Sequence, residues 1–302
     1  MTSPIQVFDR KLLRLRRERA AADIGGFDFL LTDVASRLAD RLDLIKKEFP
    51  TVVDLGGHGV MARALAGRAG IETVVTADVS RSMAAQAAQA ALGVVADEEF
   101  LPFKTCSLDA VISNLSLHWV NDLPGAMVQI RQALKPDGLF LAAVLGGESL
   151  YELRESLMTA ELAVTGGASP RVSPFIDARD MGALLQRAQF ALPVVDSDII
   201  TVDYSNPLKL MQDLRGMGAT NAIANRLKKP TRRGVIFEAA KIYTEKFGDA
   251  KGRVPATFQI IYAIGWSPHA SQQKPIQPGS AKVKLADALG VEEVKTGEKA
   301  RP

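Results

Sequence analysis

Apolar and polar positions along the chain alternate between short β-branched runs and longer stretches with helical spacing. The sharpest run is Thr51-Val52-Val53-Asp54-Leu55, a strand that enters Gly56-Gly57-His58-Gly59 and then an alanine-rich apolar stretch up to Gly70. Further strands are predicted over 72–77, 92–96, 108–114 and 139–145, with helices over 62–69, 83–91 and 124–134 between them. Strands and helices in this order form parallel strands joined by right-handed crossovers, with helices on both faces. The fold class is therefore α/β.

Two helices precede this core. Residues 27–47 place Phe27, Leu30, Leu31, Val34, Leu38 and Leu42 at helical spacing, an apolar stripe expected to cover the ligand pocket. Residues 8–22 form a basic helix with Arg10, Lys11, Arg14, Arg16, Arg17 and Arg19 close together. Its expected packing face is Phe8, Leu12 and Leu15, with the cations solvated; contact with a partner or an anionic membrane face is the alternative. Past the fifth strand come helices over 150–164 and 177–188, a strand over 194–202, helices over 207–214 and 231–247, and a last strand over 255–265. The resulting division is N-terminal helices at 1–47, one domain at 48–265 with an insertion at about 205–252, and a tail at 266–302. The tail is rich in Ser, Pro, Gln, Lys and Gly, and is expected to be disordered.

The glycines gain meaning from the acids downstream of them. A glycine-rich strand-to-helix turn brings backbone close to a ligand or to a packed neighbour. The second strand ends in Asp78, about twenty residues on, where a carboxylate can take both hydroxyls of a ribose. The third leads into Asp97-Glu98-Glu99-Phe100-Leu101-Pro102-Phe103, an acidic pair and an apolar turn suited to an adenine edge, and the fourth into Leu115-Ser116-Leu117-His118-Trp119. A strand-end or capping role is the alternative for each acid.

The order of these blocks, D-x-G, the acid after strand two, A-D-E-x-L-P-F, L-D-x-V-x-S-N and L-K-P-D-G-x-F, resembles the class I S-adenosylmethionine-dependent methyltransferases. Ala96 to Phe103, Leu115 to Pro124, Tyr151 to Arg154 after Gly146-Gly147, Arg215-Gly216-Met217-Gly218 and Val254 to Ile260 resemble, more closely, the complex I assembly factor 5 family. That resemblance spans about residues 8–266. It implies a Rossmann-like methyltransferase fold with one antiparallel strand and strand order 3-2-1-4-5-7-6. It also implies S-adenosylmethionine as cofactor, a respiratory complex I subunit as protein partner, and hydroxylation of an arginine on it. A more distant likeness is to the enzyme that methylates malonyl groups on acyl carrier protein. A small-molecule or carrier-protein methyltransferase and a non-catalytic assembly chaperone are therefore the alternatives.

By the same resemblance, Asp54 lies near the cofactor's amino group, Gly56 gives backbone clearance, and Asp78 holds the ribose. Asp97 takes the adenine amino group with Glu98 beside it, and Asn114 faces the methionine part. The superfamily loop D-x-G-x-G-x-G is altered: His58 and Val60 stand where its second and third glycines belong, with Gly57 and Gly59 one place away. Methyl transfer relies on positioning, so no catalytic residue is assigned. His118, Trp119, Tyr151, Arg154 and Arg215 are the candidates for substrate contact.

Composition sets outer limits. The 302 residues are 47% hydrophobic and 24% charged, ordinary for one globular α/β domain with an insertion. A net charge of +3 without a basic aromatic stripe does not suggest nucleic acid. The single cysteine, Cys106, excludes an internal disulfide framework and a cysteine zinc site. No run is long and apolar enough for a transmembrane segment, and no signal peptide is expected. The expected place is the bacterial cytoplasm with possible peripheral contact with the inner membrane, or the mitochondrial matrix in a eukaryote. Hydroxylation commonly uses iron held by two histidines and a carboxylate, but the histidines are only His58, His118 and His269, with no H-x-D or H-x-E spacing. Convergence of His58, His118 and Asp54 on a metal is disfavoured, and no metal is expected.

Overall fold

The computed structural model of the chain describes residues 6–273, 283 and 285–292. It divides into Met1–Pro268 and His269–Pro302. The first unit is built on a seven-stranded sheet in the order β3-β2-β1-β4-β5-β7-β6. The strands are β1 Thr51–Leu55, β2 Thr73–Asp78, β3 Leu92–Val95, β4 Leu108–Asn114, β5 Leu134–Leu145, β6 Ala191–Tyr204 and β7 Val254–Trp266. β1 to β5 pair in parallel, while β7 runs antiparallel to both β5 and β6. This is the order that the family resemblance implies.

Helices α1 Arg10–Ala20, α2 Phe29–Asp43, α3 Val60–Leu65, α4 Arg81–Ala87, α5 Leu123–Ala133, α6 Tyr151–Thr165, α7 Ala178–Arg187, α8 Pro207–Gly216 and α9 Arg233–Phe247 surround the sheet. In β5, Leu139, Leu141 and Ala143 enter one core with Leu31, Leu38 and Tyr262, and Phe140, Ala142 and Val144 enter another with Ile130, Met181 and Phe190. Helices cover both faces, which is why β5 reads as an unbroken apolar run instead of an alternating one. β6 is an edge strand with Val194 and Ile199 exposed, and it is longer at both ends than its pattern suggests.

Several helices start earlier than the apolar spacing predicts, because caps and turns fix the first residue. Ser80 Oγ accepts from Met83 N at 3.2 Å, so α4 opens at Arg81, and the positive φ of Gly59 (74°) ends the loop at once before α3. α1 is capped by Asp9, whose Oδ1 accepts from Leu12 N at 3.0 Å. The expected packing face of this segment is corrected in part: Phe8 is buried as expected, but Leu13, Arg17 and Ala20 take the buried positions of the helix, while Leu12 is only partly buried and Leu15 is 46% exposed. An arginine in the buried stripe reflects the acids beneath it.

The insertion and the N-terminal segment join above the carboxyl ends of the strands. Asp9 N donates to Ala222 O and Ala224 N to Val7 O, both at 2.8 Å, around a bridge between Phe8 and Ile223. A Cβ on Gly216 would lie 2.2 Å from the ring of Phe27, so α8 packs there only through glycine. Of the tail expected at 266–302, residues 274–282, 284 and 293–302 lie outside the described residues. Within them, Trp266 closes β7, and the second unit contains a short helix, Leu285–Leu289.

Candidate functional site

Strand order reverses between β1 and β4, and in open α/β sheets the crevice beyond the strands' carboxyl ends at that point is the ligand site. The turn after β1 holds Gly56 at φ 70°, His58 at φ 52° and Gly59 at φ 74°. Placing His58 in the left-handed region costs about 1–2 kcal/mol, so the altered glycine pattern is accommodated by strain at one residue. A Cβ on Gly56 would lie 2.0 Å from Ser116 Oγ and 2.9 Å from Glu98 Oε1, and one on Gly57 only 1.7 Å from Asp54 Oδ1. The clearance at Gly56 is used here by Ser116 and Glu98.

The strand-end acids face this turn. Asp78 Oδ1 accepts from Ser80 N at 2.7 Å, and Oδ2 meets Arg17 Nη1 at 3.3 Å. Glu98 Oε1 accepts from the same Nη1 at 3.1 Å and from Ser116 Oγ, and Arg17 Nη2 donates to Ser116 Oγ at 2.8 Å. Two helical turns earlier, Arg10 Nη2 donates to both Asp97 and Glu98, and its Nη1 to Trp119 O at 3.2 Å. Glu18 accepts from the Ser80 and Ser82 hydroxyls. Arg17 is 2% exposed, and Asp78 and Glu98 not at all.

The charges are strongly perturbed. Burial would raise the Glu98 carboxyl, but Arg17 and Arg10 outweigh it and hold it at about 2. Burial pushes Asp78 up to about 6 in spite of Arg17, and the neighbouring Glu98 charge adds repulsion. The two acids sharing one guanidinium move in opposite directions, and Glu98 is the ionised anchor. Asp54 is raised to about 7 by burial, against a hydrogen bond from Thr76 Oγ1 at 3.2 Å.

His58 and His118 line one small cavity of about 50 Å³ with Arg17, Leu31 and Met217. Burial first, and the Arg17 charge second, hold both rings neutral with values near 3, and each Nδ1 is buried without a hydrogen-bond partner. His118 also packs against Trp119 and Phe175, at ring separations of 5.2 and 5.8 Å. Asp54 does not join the two histidines, being folded beneath Gly57; among the described residues no group of three or more His, Cys, Asp or Glu could hold a metal. Asn114 Nδ2 donates to Leu31 O at 2.9 Å and leaves its buried Oδ1 unpaired.

The remaining candidates separate. Tyr151 is 42% exposed and meets Phe247 edge-on, and Arg154 Nη2 donates to Gly147 O and Ser149 O, securing the loop after β5. Arg215 lines a different cavity of about 620 Å³ with Arg16, Arg19 and Asp23. Sequence reasoning missed Arg10, Arg17, Glu18 and Ser116. The signal was present: Arg10, Leu13, Arg17 and Ala20 recur at the spacing of one helix face.

The donor and acceptor set suits a nucleoside: carboxylates end β2 and come just after β3, and Asp54 and Asn114 keep buried acceptor atoms without partners. The space between Asp78, Glu98 and Ser116 is filled by the Arg17 guanidinium.

Comparison with known proteins agrees with this geometry. The methyltransferase domain family matches residues 53–142. The arginine-hydroxylase NDUFAF5, mitochondrial, of Danio rerio is 45% identical over 289 residues, 94% of this chain and 89% of its own length. That of Homo sapiens is 45% identical over 294 residues, covering 95% and 85%. The malonyl-[acyl-carrier protein] O-methyltransferase of Methylovorus sp. is 34% identical over 283 residues, covering 89% and 93%. Among solved structures, the YcgJ protein of Bacillus subtilis aligns with a TM-score of 0.53 at 16% identity, covering 77% of this chain and 98% of that one. Haemonchus contortus phosphoethanolamine N-methyltransferase 2 in complex with S-adenosyl-L-methionine aligns with 0.54 at 16%, covering 85% and 60%. The structures share the fold, and the sequences give the kinship: this chain belongs to the arginine-hydroxylase NDUFAF5 family, within the class I methyltransferase superfamily.

Proposed function

We propose that the crevice binds S-adenosylmethionine and that the chain modifies an arginine side chain of a protein partner, a respiratory complex I subunit. The reaction is the hydroxylation for which its relatives are named; it needs an oxygen donor and a two-electron reductant as co-reactants, which S-adenosylmethionine does not supply. The observation that supports the cofactor reading is the placement of Asp78 and the Asp97–Glu98 pair beside the Gly56 turn where strand order reverses. Asp78 would hold the ribose hydroxyls through Oδ2, Asp97 and Glu98 the adenine edge, and Asp54 and Asn114 the amino-acid end. When bound, this cofactor supplies a sulphonium with a transferable methyl group.

For the partner's arginine, a mostly apolar cavity of about 150 Å³ adjoins this region, lined by Trp119, Leu145, Leu150, Leu153 and Phe175, with Arg171, itself paired with Glu161, at its wall. Such a cavity suits the alkyl stem of a long cationic side chain. The neutral His58 and His118 rings line the neighbouring cavity of about 50 Å³ beside Arg17. Mass spectrometry of the complex I subunit's arginine peptides, with and without this protein, tests the reading. An added oxygen supports hydroxylation, and an added methylene replaces it with methyl transfer. An unmodified arginine alongside tight binding points to a chaperone, and methylation of an acyl carrier protein's malonyl group instead points to the function of the Methylovorus relative.

A further inference from the structure

We infer that helix α1 is an internal competitor for the cofactor crevice, so that S-adenosylmethionine binds only when Arg17 withdraws. The inference rests on the cofactor reading above and concerns what stands in the cofactor's place. Asp78 Oδ2, the oxygen left free after Ser80 N has taken Oδ1, is the atom a ribose hydroxyl needs, and Arg17 Nη1 lies 3.3 Å from it. Glu98 is engaged on both oxygens, by Arg17 and Ser116 on Oε1 and by Arg10 on Oε2. The cavity next to Arg17 holds about 50 Å³, whereas sites for ligands of nucleoside size and above occupy roughly 300 Å³ or more. No side-chain rotation at Asp78 alone supplies that space; the guanidinium and its helix must move.

The attachment of α1 is of a kind that can reverse. Its buried side chains are Leu13, Arg17 and Ala20, with Arg10 mostly buried, so ion pairs hold it beside one leucine and one alanine, whereas α2 buries Leu30, Leu31, Val34, Leu38 and Leu42. Its first turn is tied by Asp9 to Arg226 of the insertion at 3.3 Å and by buried Phe8 against Trp119, and its last turn by the polar contacts of Glu18 to Ser80 and Ser82. Two arrangements then share one set of acids, with guanidinium docked or ligand bound. Because ligand binds only the undocked arrangement, its apparent dissociation constant is the intrinsic one divided by the undocked fraction. Loosening α1 must therefore tighten binding, the opposite of what removal of a ligand-contacting residue does.

The test uses the full chain and S-adenosylhomocysteine as the probe. Titration calorimetry compares the parent protein with Arg17→Met, which keeps the aliphatic stem and removes the fork. The expected result is affinity higher by tenfold or more in Arg17→Met. Hydrogen exchange on the parent protein gives a second readout that does not depend on the variant folding: amides of 10–20 should exchange faster when ligand is added. Equal or weaker affinity in a folded Arg17→Met protein, or slower exchange across 10–20 with ligand, overturns the inference while leaving the cofactor reading intact. Absence of binding to both proteins overturns the two together.

Discussion

Glu98→Gln removes one charge from the centre of the crevice and keeps its shape. Glu98 has no exposed surface and bridges Arg10 and Arg17, whose side chains are 13% and 2% exposed. Breaking a buried pair by neutralising one partner costs about 3–5 kcal/mol, because the other charge is stranded. A second route gives a similar figure: holding the carboxyl at about 2 instead of 4.5 corresponds to about 3 kcal/mol at neutral pH. The amide of the variant can still accept from Ser116, and Asp78 and Asp97 still face the guanidiniums, so the low end, about 3 kcal/mol, is expected. In a chain of this size that lowers Tm by about 6–12 °C.

The sign with pH is fixed by the direction of the shift. A depressed carboxyl contributes its full stability above 4.5 and loses it as pH falls toward about 2. The difference between parent and Glu98→Gln should thus be greatest at pH 7 and about 1 kcal/mol smaller at pH 3.5. Urea unfolding monitored by Trp fluorescence measures both, and trypsin tests whether loss of stability begins at α1, where Lys11, Arg14 and Arg19 offer cleavage sites. A difference under about 1 kcal/mol at pH 7, or one that grows on acidification, would refute the view that Glu98 anchors α1 by charge.

Three further expectations come from packing and ionisation. Gly57→Ala places a Cβ 1.7 Å from Asp54 Oδ1 and should cost about 2–3 kcal/mol in urea unfolding, shrinking below about 1 in an Asp54→Ala background; equal costs in both would show the clash lies elsewhere. Asp54 is raised from 3.8 to about 7, so its contribution is full below pH 4 and is lost as pH rises through 7; the parent should lose stability relative to Asp54→Asn over that window, and a flat difference would contradict it. Arg154→Ala gives up two bonds to carbonyls at 3.2 and 3.0 Å, and should cost about 1 kcal/mol of stability with S-adenosylhomocysteine affinity unchanged by calorimetry.

The sheet was legible because its determinants are local and repeated. β5 declares burial on both faces by an unbroken apolar run, and the Gly56 turn with Asp78 locates the crevice without knowledge of any long-range contact. Element ends were less legible: Ser80 and Gly59 decide where α4 and α3 begin, and neither contributes to apolar periodicity. Tyr151 and Arg154 sit in a block that resembles the family, yet a run of sequence does not reveal which way a helix's first turn faces. His58 was readable as a departure from the glycine pattern, but not as a residue that takes the left-handed conformation itself.

The burial of Arg17 is the instructive miss, since the usual reading of a six-cation helix is a solvated one. Asp78 and Glu98 lie 61 and 81 positions from it, so no local rule pairs them. The demand for a cation was nonetheless visible from the acids. Asp78 ends a strand, and Glu98 comes just after one, with only apolar or uncharged residues preceding them in each β run from Thr73 and from Leu92 as far as Asp97. A carboxylate buried there without a counter-charge costs several kcal/mol, so the charge must come from another segment or from a ligand. Among the described residues, Arg17 is the one buried cation, and it sits on the single face of α1 that also carries Arg10, Leu13 and Ala20. The acids that make the crevice suitable for a nucleoside therefore also require something to hold them when no nucleoside is there, and the N-terminal helix has the spacing to supply it.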